Sequence, residues 1–170
     1  MNALQQERIE TPRLALVPLE KATARAVLAG DLSTLDHAEG WPHADTLDAV
    51  RMALRAEEPW PVWLVVADGV VIGDCGTLGD VDGSGDVEIG LGLAKEHRGR
   101  GYGTEVIEAL SGWLLRRPTV RRVVAREVEA DNHASRRALE KAGFVLERAE
   151  GDAVSYALAK SPNARPKAGG

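Results

Sequence analysis

The segment Arg98-Gly99-Arg100-Gly101-Tyr102-Gly103 constrains this chain more than any other. It follows an alternating apolar run, Val87 to Leu93, and precedes a stretch from about Thr104 to Arg116. That stretch places Val106, Ile107, Leu110, Trp113 and Leu114 on one helical stripe. A strand therefore feeds a helix through a turn made largely of glycine. The first turn of a helix has unpaired backbone N–H groups and the positive end of the peptide dipoles, so it attracts anions. Glycine removes the Cβ atoms that would keep an anion off those amides. Arg98 and Arg100 add charge that can fork onto phosphate oxygens. A diphosphate suits these features best. The spacing 99, 101, 103 is not the G-x-G-x-x-G of dinucleotide folds, and no lysine follows Gly103 as a P-loop requires. The plainer alternative is a tight strand-to-helix turn that only uses glycine for its backbone freedom.

The rest of the chain supplies a framework for that turn. A first strand is expected over Leu14 to Leu19 and a helix over Glu20 to Ala29, closed by Gly30. A loop follows from Asp31 to Asp45, then a helix from Thr46 to Glu58. Val62 to Ala67 and Val70 to Leu78 flank Asp68-Gly69, a strong hairpin signal, and Val87 to Leu93 completes a meander. Pro118 ends the helix after the glycine turn. Val120 to Val128 reads as a strand and Ala134 to Ala142 as a helix closed by Gly143. Phe144 to Arg148 and Val154 to Leu158 form a closing antiparallel pair. The order β-α-α-β-β-β-α-β-α-β-β is that of an α+β fold with a central, mostly antiparallel sheet. Residues 1–160 are expected to make one domain, and 161–170, without apolar pattern, a disordered tail.

Composition narrows the partners. A formal charge of −5 lacks the basic footprint of nucleic-acid binding. No apolar run approaches the roughly 20 residues of a membrane helix, and Met1 to Glu10 lacks the apolar core of a signal peptide. Cys75 is the one cysteine, so no internal disulfide forms. These observations point to the cytoplasm. The histidines at 37, 43, 97 and 133 show no metal-ligand spacing, and no metal is expected. Oligomeric state is left open, a homodimer included.

Four motifs, in order, resemble the GNAT acetyltransferases. Arg98, Gly101 and Gly103 match the R/Q-x-x-G-x-G/A signature, and Val87 to Leu93 resembles the strand that leads into it. Asn132-His133-Ala134-Ser135 with Lys141-Ala142-Gly143-Phe144 resembles the N-x-x-S…K-x-G-F segment. Thr11-Pro12-Arg13-Leu14 resembles the opening of the subgroup containing ribosomal-protein N-terminal acetyltransferases. The similarity spans about residues 9 to 159.

The resemblance implies acetyl-CoA as co-substrate, held where two parallel strands, Val87 to Leu93 and Val120 to Val128, splay apart. The backbone of Leu91, Gly92 and Leu93 would meet the acetyl and pantetheine groups. Arg98, Gly99, Arg100, Gly101, Tyr102, Gly103 and Thr104 would hold the pyrophosphate, Asn132 the pantetheine arm, and Arg137 the adenosine phosphates. Arg136 reads instead as a solvated helix residue.

Acetylating an amine requires removal of a proton from the nucleophile. Glu88 occupies the glutamate position of the family strand, and alternation sets it on one face with Gly90 and Gly92. Its alternatives are an exposed strand carboxylate or an ion pair with one of the many arginines. Where many relatives carry a tyrosine acid this chain has Leu139. Ser135 is the implied replacement, unless it only caps its helix. Tyr156 is a second donor, with packing as its plainer role. Cys75 reads as a small buried apolar residue rather than a nucleophile. On the acceptor side, Trp41, His43 and Trp60 would form an apolar or cation-binding wall, with Trp63 packing between sheet and helices. Asp36, Glu39 and Asp45 would give its mouth a negative potential. The expected activity is acetyl transfer to a primary amine of a peptide N-terminus, antibiotic or metabolite, by direct attack in a ternary complex. The alternative is a non-catalytic acyl-CoA-binding regulatory module of the same fold.

Overall fold

Among the described residues the alternating runs assemble into one sheet of eight strands, in the order β1-β2-β3-β4-β5-β6-β8-β7. The computed structural model describes residues 6–57 and 61–161. The strands are β1 Ile9–Glu10, β2 Ala15–Pro18, β3 Val62–Ala67, β4 Val70–Thr77, β5 Asp86–Leu93, β6 Arg122–Glu129, β7 Val145–Glu150 and β8 Ala153–Ala159. The helices are α1 Lys21–Leu28, α2 Ala44–Arg55, α3 Tyr102–Leu115 and α4 His133–Lys141, with a short 3-10 turn at Lys95–His97. All neighbouring strands run antiparallel except β5 and β6. This is the α+β architecture expected from the sequence.

Alternation along the strands sorts side chains between two apolar layers. Trp63, Val65 and Ile72 join Val106, Leu110, Trp113 and Leu114 of α3 in the larger core. Leu64 and Val71, their neighbours in sequence, turn to the other face and meet Val27 and Trp41. Trp63 and Trp113 stack edge to face with ring centroids 5.2 Å apart. Losing a buried tryptophan from such a core costs about 3–5 kcal/mol, so this pair anchors the α3 layer. Cys75 is buried, and burial pushes its thiol well above the usual range, as suits an inert core residue rather than a nucleophile.

Several boundaries differ from expectation. The two-residue β1 precedes the strand read at Leu14 to Leu19 and pairs with it, Ile9 opposite Leu16; two residues are too short to show alternation. Helix α2 starts at Ala44 and ends at Arg55, earlier than read at both ends. The start is earlier because the Thr46 hydroxyl accepts the His43 amide at 3.3 Å. Trp60 and nearly all of the expected tail lie outside the described residues.

One feature positions the site. The parallel ladder between β5 and β6 registers Asp86 with Arg122, Val87 with Val123 and Glu88 with Val124, and stops there. Beyond it β5 stays paired only with β4, while β6 follows β8 through a bulge between Ala125 and Val128. Glu127 in that bulge takes φ 54°, a left-handed value uncommon for a non-glycine residue. Bulges bend a strand and re-aim its side chains. The closed end is pinned by Asp86, whose carboxylate accepts from Arg122 Nε at 2.9 Å and Nη2 at 2.6 Å. Those bonds hold the Asp86 carboxyl below its ordinary value of 3.8. A depressed folded value gives stability that is present above the unfolded value and lost as pH falls through the folded one. Asp86→Asn should therefore lower Tm by roughly 3–8 °C at pH 7. The gap from wild type should close below the ordinary aspartate value. Thermal melts at both pH values check this.

Candidate active site

The free edge of β5 has a defined chemistry. In an antiparallel pair, residues that exchange hydrogen bonds alternate with residues whose N–H and C=O point away. Leu78 N donates to Glu88 O at 2.8 Å and Ala94 N to Ile72 O at 2.7 Å. These bracket a register in which Gly76 faces Gly90 and Asp74 faces Gly92. Glu88, Gly90, Gly92 and Ala94 thus turn their backbone groups to β4, and Leu91 and Leu93 turn theirs into the gap. Gly92 accordingly serves differently from expectation, since its own amide and carbonyl belong to the sheet. What it offers is the absence of a side chain on the face it shares with Glu88. Arg98 also departs from a purely phosphate role. Its Nε donates to Leu93 O at 2.9 Å and ties the glycine turn to the end of β5.

The turn itself delivers α3 to the gap. Gly99 and Gly101 take φ 74° and 81°, left-handed values that favour glycine. Gly101 immediately precedes α3, whose first-turn amides, from Tyr102 to Thr104, have no partner within the helix. Gly103 packs where a methyl group would meet Leu91 Cδ2 at 3.7 Å and Ala138 Cβ at 3.8 Å.

A brace behind the turn was not visible from residue types. Glu105, in the first turn of α3, accepts from the Thr11 hydroxyl at 2.6 Å, from Arg13 N at 3.0 Å and from Arg13 Nε at 2.8 Å. Arg13 Nη1 donates to Arg100 O at 2.8 Å, and its guanidinium lies over the Tyr102 ring, 4.4 Å from the centroid. The Thr-Pro-Arg-Leu opening thus acquires a physical task, holding the glycine turn in place. Burial pushes the Glu105 carboxyl up, but the Thr11 and Arg13 bonds outweigh it and hold it below the usual range. Glu105→Gln should lower Tm by a few degrees and weaken coenzyme A binding about three- to tenfold, measured by calorimetry.

On the face opposite α3, Glu88 is partly buried. Its Oε2 lies 4.0 Å from Arg126 Nη1, while Arg126 Nη2 reaches Asp86 Oδ2 at 3.4 Å. The bulge in β6 aims Arg126 at this point, so the arginine pairing that competed with a catalytic role is present as a long contact. Further along this face, His43 meets β5 at Gly92. A Cβ on that glycine would stand 3.8 Å from His43 Nδ1. Trp41 is no exposed wall. It is 3 % exposed and packs in the smaller core, with Nε1 donating to Asp74 Oδ2 at 2.9 Å. The same oxygen accepts from the Thr46 hydroxyl at 2.6 Å. Asp74 escaped the sequence reading, although an acid inside the apolar run Val70 to Leu78 is itself a signal.

Helix α4 faces the gap from the other side. Asn132 Oδ1 accepts from Ser135 N at 3.1 Å, so Asn132 is the cap and the half-buried Ser135 hydroxyl is spared that task. The Asn132 amide nitrogen is left for another partner. Leu139, at the position of the missing tyrosine, is buried in the larger core. Tyr156 is fully buried, and its hydroxyl donates to Glu140 Oε1 at 2.7 Å and accepts from Arg136 Nε at 3.1 Å. It is committed to packing. Arg136 is not a free solvated residue, because Nη1 also donates to Ala130 O at 2.8 Å. Arg137 is exposed. Trp63, wholly buried, donates Nε1 to Glu7 O at 2.8 Å. Among the described residues no group of three His, Cys, Asp or Glu side chains could hold a metal ion, and no helix is long and apolar enough to cross a membrane.

The sheet opens between its two parallel strands, β5 and β6, and α3, preceded by Gly101, starts beside the opening. The family model for the acetyltransferase (GNAT) domain matches residues 13–145, and the chain belongs to that family. Over 114 residues it is 38% identical to the uncharacterized N-acetyltransferase YjdG of Bacillus subtilis (strain 168), covering 62% of this chain and 67% of that one. RimL, a ribosomal L7/L12 alpha-N-protein acetyltransferase solved with coenzyme A, superposes with a TM-score of 0.68 at 20% identity, over 90% of this chain and 98% of RimL. The microcin C7 self-immunity acetyltransferase MccE, solved with acetyl-CoA and AMP, gives 0.63 at 15% identity, over 88% and 93%. At those identities the likeness is one of fold.

Proposed function

We propose that this protein transfers the acetyl group of acetyl-CoA to a primary amine by direct attack in a ternary complex. The observation that carries the reading is the ladder that ends at Glu88 and Val124 beside the N-terminus of α3. An extended pantetheine arm fits the Leu91 and Leu93 backbone groups as a strand fits a sheet edge. The amides from Gly99 to Thr104 receive the pyrophosphate, with Arg100 beside them, while Arg98 fixes the turn. Asn132 offers its amide nitrogen to the arm, and Arg137 reaches for the adenosine end. RimL and MccE, which share the fold, were solved with coenzyme A and acetyl-CoA respectively, in keeping with this assignment.

Glu88 draws the ammonium form of the acceptor to the gap and takes its proton directly or through a water. Ser135 stands ready to protonate the departing thiolate. Residues 1–160 act as one domain, in the cytoplasm, on a peptide N-terminus or a small amine. Calorimetry with coenzyme A, followed by thiol release from acetyl-CoA across a panel of peptide, aminoglycoside and metabolite amines, tests the assignment. Absence of coenzyme binding sinks it. A second reading, a non-catalytic acyl-CoA-binding module, is favoured by the buried Leu139 and the committed Tyr156 hydroxyl. Tight coenzyme binding with no thiol release on the whole panel would select it.

A further inference from the structure

We infer that Arg126 selects the acceptor, and that the amine taken by this site carries a carboxylate a few bonds away. A free α-amino acid and a peptide that opens on an acidic residue both have that chemistry. The inference rests on the acetyl-transfer reading and names the class of amine within it. It starts from how the charges on the acceptor face are shared out. Asp86 is claimed by Arg122, which donates to its two oxygens at 2.9 and 2.6 Å. Arg122 also donates to Glu147, so its guanidinium is committed on two sides. Arg126 is not. Its Nη2 meets Asp86 Oδ2 at 3.4 Å, longer than a usual N–H···O bond, and its Nη1 lies 4.0 Å from Glu88 Oε2, too far for one. Among the described residues its five N–H donors therefore share one long bond. Its side chain is 45% exposed.

The backbone holds this guanidinium at the opening. The parallel ladder ends at Glu88 and Val124, and Arg126 stands two residues past Val124. Its contacts with Asp86 and Glu88 put it on their face of the sheet. The next residue, Glu127, takes φ 54° within the bulge between Ala125 and Val128. A left-handed value at a non-glycine residue is strained, and such strain concentrates at functional sites.

Glu88 and Arg126 thus present an anion and a cation side by side where the two strands part. Glu88 draws the ammonium form of the acceptor. A carboxylate on the same molecule then falls to Arg126, whose planar fork can meet it with two parallel bonds. The four charges alternate in sign, so each is flanked by opposite ones. An amine without the carboxylate meets the arginine as an unrelieved like charge. The pair therefore rejects as well as attracts, which is how specificity arises.

The test uses the full chain and acetyl-CoA with acceptors in matched pairs. One pair is an α-amino acid and its amide; the other is a short peptide opening on glutamate and the same peptide opening on glutamine. In the wild type, kcat/KM should be about ten- to a hundredfold higher for the carboxylate member of at least one pair. The pair that shows it tells the amino acid from the peptide. Arg126→Gln should bring that ratio within about threefold of one, and Arg126→Glu should push it below one. A ratio between two acceptors of one variant is not moved by a general loss of folded protein or of coenzyme binding. Arg148→Gln, which removes an exposed arginine of β7 that pairs with Glu150, should leave the ratio as in the wild type. Turnover with no preference for the carboxylate member of either pair, or an unchanged ratio in Arg126→Glu, overturns the proposal and leaves acetyl transfer standing. Should the wild type release no thiol with any amine, the acetyl-transfer reading falls first and this one with it.

Discussion

Gly101→Val should reduce affinity for coenzyme A at least a hundredfold while leaving the fold intact. Gly101 takes φ 81° and ψ 3° immediately before α3. Any L-residue held there costs about 1–2 kcal/mol, and a branched one more. Its Cβ would also stand 3.3 Å from Arg13 Nη2, inside the brace that fixes the turn. The backbone can relieve the strain only by rotating amides away from the helix axis. Losing two charge-assisted bonds to phosphate, at about 1.5–3 kcal/mol each, gives a roughly 10²- to 10⁴-fold drop. The same strain lowers Tm by only about 2–8 °C. Gly103→Ala is the control, since its methyl finds ordinary contacts and should change affinity little. Calorimetry on both variants decides the matter. Near-native affinity in Gly101→Val would remove the turn from the phosphate site.

The second large effect concerns chemistry rather than binding. In Glu88→Gln, kcat should fall roughly 10²- to 10³-fold with coenzyme A affinity unchanged within about twofold. Glutamine keeps the shape and loses both the charge that draws an ammonium and the capacity to hold its proton. Arg126 retains its contact with Asp86, so the bulge in β6 has reason to stay in place. Steady-state rates from pH 6 to 9 provide the check. A variant with native kcat and native profile would take Glu88 out of the reaction.

The parts legible in the sequence are those where one residue type does one job. The glycines from 99 to 103 announce a tight strand-to-helix turn, and the stripe from Val106 to Leu114 announces a helix against a sheet. Gly143, at φ 93°, closes α4 as its type suggests. The parts that escaped depend on partners far apart in the chain. Arg13 and Glu105 are 92 residues apart, and Asp74 meets Trp41 and Thr46 across two elements. No periodicity encodes such pairs. Trp41 misled for a related reason. Aromatic residues gathered in one segment suggest an apolar or cation-binding wall, yet the Trp41 indole N–H found a buried carboxylate. Arg136 misled in the same way, because the hydroxyl it meets lies on β8.

The unfinished ladder has a consequence for how the protein reports on itself. Amides at Leu91 and Leu93 face an opening where neighbouring strands would normally supply acceptors, so in the empty protein they should trade hydrogen for deuterium far faster than those at Gly90 and Gly92. A thioester lying in the opening would act as a missing rung and slow two alternate positions, sparing those between. Occupancy of the cleft would then be readable as a two-residue stripe of protection along one strand.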